Sequence, residues 1–217
     1  MSVKIGRHGA PAEITMPMKN LDNKNEKTSK VRDTRWKDAE KPYLDIQSKT
    51  AVSSGEAHLL YDMAKRLGSG NYANLGVAAG KSVGCLAWGL KYSKHKGKVY
   101  AVDYFGWAQE RFQPEGLRKT LKDVIEYVEF CKGYTHEWAP RLAHLKFRGM
   151  FIDADHNYET CKADWELWNP MIEVGGEVAF HDTHKNTVDK VVREHIDYTC
   201  WKQVDHIYSI KLFKRLK

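Results

Sequence analysis

"FRGMFIDADHNYETCKADWELWNPMIEVGGEVAFHD", residues 147–182, contains two short apolar runs separated by a stretch of helical period. The first run, "FRGMFIDA", breaks into Asp153, Asp155 and His156, and the last, "GEVAFHD", breaks into His181 and Asp182. Between them Tyr158, Cys161, Trp165 and Trp168 recur at the spacing of one helical face. A strand, a helix and a second strand in this order form a crossover unit, which predicts parallel neighbours whose ionisable ends lie together at one sheet edge.

The same alternation extends in both directions. Upstream, "SSGEAHLLYDMAKRLGSG" predicts a helix. Ser53 and Glu56 have capping-box spacing, Ala57, Leu60, Tyr61, Ala64 and Leu67 share a face, and Gly68 and Gly70 stop it. Then come "NYANLGVA" as strand, "SVGCLAWGLKY" as helix, "KVYAVDYF" as strand, "GLRKTLKDVI" as helix and "VEFCKG" as strand. Downstream, "TVDKVVREHIDY" reads as helix and "WKQVDHIYSIKLFKR" as two strands. Seven strands taking turns with helices predict an α/β, doubly wound, mostly parallel sheet with helices on both faces.

Length and composition set the frame. At 217 residues and 42% hydrophobic content, the chain suffices for one sizeable domain, read here as residues 51–217, preceded by a basic arm or lid over residues 1–50. The arm holds eleven Lys or Arg against seven Asp or Glu, so 11 − 7 = +4 of the net charge of +7 sits there. That surplus motivates nucleic acid as a minor alternative partner, but no nucleic-acid motif accompanies it. Trp36 and Tyr43 in the arm, with Trp107, are candidates for an acceptor-pocket wall. No apolar run is long enough to span a membrane, and the start of the chain lacks a secretion signal, so a cytoplasmic protein is expected. Cys85, Cys131, Cys161 and Cys200 form no CxxC pair and read as reduced thiols. A homo-oligomer is left open.

Three motifs carry chemistry. "LGVAAGKSVG" is a glycine turn opening a helix, where backbone N–H groups meet an anionic ligand. It has three residues between Gly76 and Gly80 where a Walker A loop needs four, and Ala78 where a dinucleotide fingerprint has its second glycine. What remains is Gly76, Gly80 and Ser82 beside a ligand with a carboxylate. Asp103 ends the second strand, where its carboxylate can accept from ribose hydroxyls, with Tyr104 nearby. Asp153, Asp155, His156, His181, Asp182 and His184 then meet at the fourth and fifth strand ends. The aspartates suit a hard divalent cation, and the histidines suit proton transfer near neutral pH.

"NLGVAAGKS", "VYAVDYFG" and the block from Met150 to His184 resemble, in order and spacing, the class I S-adenosylmethionine-dependent methyltransferases. The branch they are most similar to is that of the small-molecule O-methyltransferases of the macrocin O-methyltransferase type. The resemblance implies a Rossmann-like sheet with an antiparallel C-terminal strand, S-adenosylmethionine as cofactor and a small-molecule acceptor such as a sugar. It implies Gly76, Gly80 and Ser82 at the methionine end of the cofactor, Asp103 and Tyr104 at the ribose, and Gly133 within the turn from Cys131 to Tyr134 at the adenine. Asp153 would lie near the sulfonium and ligate Mg²⁺ with Asp182 and, in a further expectation, His181. His156 would be the base, with Asp155 as the other candidate. Asn74 and His181 depart from the pattern, where many members have glutamate and some have aspartate.

Overall fold

A computed structural model describes residues 52–217. The arm over residues 1–50 and its Trp36 and Tyr43 lie outside the described residues.

The first helix, α1 (Ser54–Leu67), begins with the expected capping box: Glu56 N–H donates to the Ser53 hydroxyl and Ser53 N–H to the Glu56 carboxylate. Seven strands follow, β1 (Asn71–Leu75), β2 (Val99–Asp103), β3 (Val128–Lys132), β4 (Phe147–Ile152), β5 (Ile172–Phe180), β6 (Trp201–Ile207) and β7 (Ile210–Arg215). They lie in the order β3-β2-β1-β4-β5-β7-β6. The first five are parallel, while β7 inserts antiparallel between β5 and β6. The connecting helices are α2 (Lys81–Tyr92), α3 (Pro114–Thr120), α4 (Thr135–Leu142), α5 (Tyr158–Trp168) and α6 (Asn186–His195).

Strand alternation divides the core into two layers. Tyr72, Val99, Ala101 and Phe151 pack against α1, α2 and the segment after α3. Ala73, Leu75, Val102, Met150, Ile152 and Phe180 pack against α4, α5 and α6. Strands buried on both faces explain why the parallel segments read as unbroken apolar runs. Trp168 and Phe147 meet in the second layer at 6.0 Å. Burying a side chain of that size contributes on the order of 2–3 kcal/mol from apolar area. One ion pair ties α1 to the sheet: Arg66 donates to both oxygens of Glu177, at 2.7 and 2.8 Å, and Glu177 is only 2% exposed.

Two elements differ from their expected form. The helix read over "GLRKTLKDVI" ends at Thr120, although Leu117, Leu121 and Val124 are all buried as its period requires. Helix α4 is not visible in the apolar pattern because it has eight residues and Pro140 inside it. Its start is marked instead by Glu137, which accepts from the N–H of Tyr134. Among the four cysteines no disulfide forms; Cys85, Cys131 and Cys161 are buried, and burial pushes each thiol up to about 12.

Candidate active site at the strand ends

The turn after β1 is built around Gly76 and Asp103. Gly76 has φ +86°, and a Cβ there would fall 2.2 Å from the carbonyl oxygen of Asp153, so the turn needs glycine both for its conformation and for the approach of the β4 end. Asp103 braces the same turn from the β2 end. Its Oδ2 accepts from Val77 N–H at 2.8 Å and Ala78 N–H at 3.3 Å, and its Oδ1 from Phe105 N–H at 2.7 Å. Gly80 caps α2 at φ +80°, with its open side against Leu117, and Ser82 is buried in the first turn of that helix.

Between the ends of β1, β2, β3 and β4 lies a cavity of about 500 Å³. Gly76, Asp103, Tyr104, Gly133 and Asp155 all line it, so five of the expected site residues converge on one space. Tyr104 and Tyr134 stack at its rim, 5.7 Å apart with planes 6° from parallel, and His136 continues the stack at 5.5 Å. Thr135 and Thr160 add hydroxyls. Behind Thr135, the Asp164 carboxyl is 1% exposed; it takes the Thr135 hydroxyl on Oδ1, and Oδ2 has no partner. Burial pushes this acid up to about 6. Trp107 stands apart from the cavity, half-exposed against Phe112.

One residue to either side of the cavity wall formed by Ala154 and Asp155, the chain enters a second cluster. Asp153, His156, His181 and Asp182 each offer a ligand atom, all within 4.8 Å of one another. His181 Nδ1 is 3.0 Å from Asp153 Oδ1 and 3.7 Å from Asp182 Oδ2. His156 Nε2 is 2.6 Å from Asp182 Oδ2 and 3.5 Å from Asp153 Oδ1, but off the line needed for a hydrogen bond. Lys185 Nζ also contacts Asp182 Oδ2, at 2.6 Å, and His184 is exposed 3.6 Å from Oδ1. Asp182 holds this position at φ +56°, a left-handed conformation uncommon outside glycine. Asp155 faces away, accepting from Asn157 N–H at 3.1 Å.

Beyond Thr135, His136, Thr160 and Lys185, sequence reading also left Glu56 outside the candidate site. Besides capping α1 it accepts from Ser209 N–H at 3.0 Å and from the Ser209 hydroxyl, and its Oε2 lies 3.7 Å from His181 Nε2. Its capping-box spacing explained it in full at the level of sequence, so no further signal was available. Burial pulls the His181 imidazole down, but Asp153 and Glu56 on its two nitrogens outweigh this and lift it to about 10. Burial in turn raises both carboxyls, and their partners outweigh it: His181 and the two serines hold Glu56 low, and His156 and His181 hold Asp153 low.

Residues 73–183 match the profile of a family described as a methyltransferase domain, Methyltransf_24. Among solved structures, the cofactor-bound Rv0187 from MTB superposes with a TM-score of 0.63 at 18% identity, covering 80% of this chain and 86% of that one. The O-methyltransferase NovP gives 0.67 at 15% identity, covering 79% and 84%. The O-methyltransferase from Bacillus cereus in complex with SAH gives 0.62 at 16% identity, covering 84% and 93%.

Proposed function

Because this chain belongs to the Methyltransf_24 family of methyltransferase domains, we infer that it moves the methyl group of S-adenosylmethionine to a hydroxyl of a small molecule. One observation carries the reading: a single loop, Asp153 to His156, walls the cavity with its middle residues and supplies the titratable cluster with its outer ones. A cofactor in the cavity and an acceptor at the cluster would therefore meet across that loop.

The cavity fits such a cofactor in size, in its stacked tyrosines and in its strand-end carboxylate. The cofactor supplies an electrophilic methyl on sulfur. The chain supplies alignment. An ionised carboxylate has about four acceptor sites, and backbone N–H groups take three of those on Asp103. It therefore has room for one ribose hydroxyl, and its other work is to hold the glycine turn in shape. Gly133 and the Tyr104–Tyr134 stack would bound the adenine.

At the cluster, His156 would accept the proton of the attacking hydroxyl, with the Asp182 carboxylate 2.6 Å from its ring. Asp155, on the cavity side, is the weaker candidate for that role. Asp153, Asp182 and His181 would hold a divalent cation, Mg²⁺ being the expectation from sequence, and their converging donor atoms fit one. Such an ion lowers the pKa of a bound hydroxyl and orients it.

A nucleic-acid acceptor is the weaker reading, since the basic surplus of residues 1–50 is accompanied by no nucleic-acid motif. Among the described residues no helix is long and apolar enough to cross a membrane. The unpaired cysteines support a reducing, cytoplasmic setting.

Calorimetry with S-adenosylmethionine tests the cofactor assignment: wild type should bind and Asp103→Ala should bind at least about tenfold more weakly, the scale of one lost charge-assisted hydrogen bond. Equal affinities would remove Asp103 from the site. Methyl transfer to a panel of small hydroxylated acceptors should fall on His156→Gln with cofactor affinity retained; unchanged turnover would remove His156 as the base.

A further inference from the structure

Glu56 is held more firmly than a helix cap requires. The capping box uses its contact with Ser53, yet the carboxylate also takes two donors from Ser209 in the β6–β7 turn and is 4% exposed. What this fixed carboxylate faces is the Nε2 edge of His181, at 3.7 Å. The Phe151 ring meets the imidazole edge-on at 5.7 Å, which confines its plane. The other nitrogen, Nδ1, is thereby directed between Asp153 Oδ1 at 3.0 Å and Asp182 Oδ2 at 3.7 Å. Donor atoms around an ion at about 2.1 Å lie roughly 3.0–3.5 Å apart, so these three need little movement to share one.

We propose that Glu56 and His181 form a carboxylate–histidine pair that presents Nδ1, with Asp153 and Asp182, to a borderline divalent ion of the Mn²⁺, Co²⁺ or Zn²⁺ kind in preference to Mg²⁺. A carboxylate behind a ligating histidine fixes its tautomer and raises its basicity. An imidazole ligand suits the borderline ions, whereas Mg²⁺ takes oxygen ligands and keeps its waters. The local charge agrees: with His181 neutral, as a ligating imidazole must be, Glu56, Asp153 and Asp182 set three carboxylates against the ammonium of Lys185, an excess that a divalent ion balances. His156 remains beside the ion as proton acceptor. The proposal rests on the methyl-transfer reading for the use of the ion but not for its binding.

The test uses the full chain, stripped of metal by chelation and dialysis. Transition ions outbind Mg²⁺ at most mixed sites, so affinity alone decides nothing. In pulsed EPR, bound Mn²⁺ should show coupling to a ligand nitrogen, and His181→Asp should abolish that coupling while still binding Mn²⁺. By calorimetry, the preference for Co²⁺ over Mg²⁺ should drop about tenfold or more in His181→Asp. Glu56→Gln should weaken Co²⁺ by about tenfold or more, the usual cost of losing such a partner. SAH affinity in both variants should match wild type, which controls for folding. Absence of nitrogen coupling in wild type, an unchanged Co²⁺ preference in His181→Asp, or failure of any ion to bind overturns the proposal. SAH binding without ion binding would sink this inference and leave methyl transfer standing; ion binding with the nitrogen signature but no SAH binding would do the reverse.

Discussion

Replacing Asp164 by asparagine should reverse the order of stability of the two proteins between acid and alkaline pH. Asp164 is buried between α4 and α5, with a donor from Thr135 on one oxygen and none on the other. Burial lifts its pKa from 3.8 to about 6. The native protein therefore keeps this proton where the unfolded chain has lost it, so stability falls as pH rises from the unfolded value and levels off above the folded one. At about 1.4 kcal/mol per pH unit, the gap between 3.8 and about 6 amounts to about 3 kcal/mol. Asparagine removes that penalty but brings an amide N–H group to the partnerless oxygen's position, at a cost of about 1 kcal/mol. The variant should be more stable than wild type by about 2 kcal/mol near pH 8 and less stable by about 0.5 kcal/mol near pH 4, where the unfolded carboxyl is already partly ionised. In a domain of this size the alkaline gain is roughly 4–8 °C in Tm. Melts of both proteins followed by circular dichroism at the two pH values read the crossing. Equal destabilisation at both would mean that Asp164 is not a strained carboxylate, and the reasoning would fail.

Gly76→Ala should cost about 3 kcal/mol or more, because its Cβ meets the Asp153 carbonyl at 2.2 Å in a left-handed turn. Urea unfolding measures this, and a loss under about 1 kcal/mol would show that the two loops separate easily. Arg66→Met strips the bidentate partner from a Glu177 that is 2% exposed, and since Arg66 is itself half-exposed the expected loss is about 2 kcal/mol. Adding Glu177→Gln should recover part of it; strict additivity in this double-mutant cycle would refute the pairing. For the metal-free protein, His181 is lifted from 6.5 to about 10, so its contribution is whole below the lower value and lost as pH climbs toward the upper one. Denaturant titrations across this window should give a falling stability for wild type and a flatter curve for His181→Gln; parallel curves would show that the imidazole is not charged there.

Much of the architecture is legible in residues 147–182, because strands buried on both faces carry dense apolar runs and their ends cannot hide charge. Leu117, Leu121 and Val124 kept their buried face even where the helix stopped, since burial follows side-chain spacing rather than backbone hydrogen bonding. Helix α4 was illegible because an eight-residue helix with an internal proline has neither the length nor the propensity to announce itself. The placement of Asp103, Asp153, His181 and Asp182 at neighbouring strand ends was legible from the strand-and-helix alternation. Glu56 was not. It reaches the cluster only through tertiary packing of α1 and the β6–β7 turn, and its local role as a cap was already a complete explanation.

That same contact gives the protein an order of assembly. Glu56 belongs to the first described helix and Ser209 to the turn between β6 and β7, and the Nε2 side of His181 meets its braced carboxylate only when both are in place. β7, which threads between β5 and β6, is made after every other described strand. The cavity lies among the ends of β1 to β4, all made earlier, but the cluster beside it is completed only when the β6–β7 hairpin closes. A nascent chain, or one clipped before Ser209, would thus carry the cavity without the finished cluster.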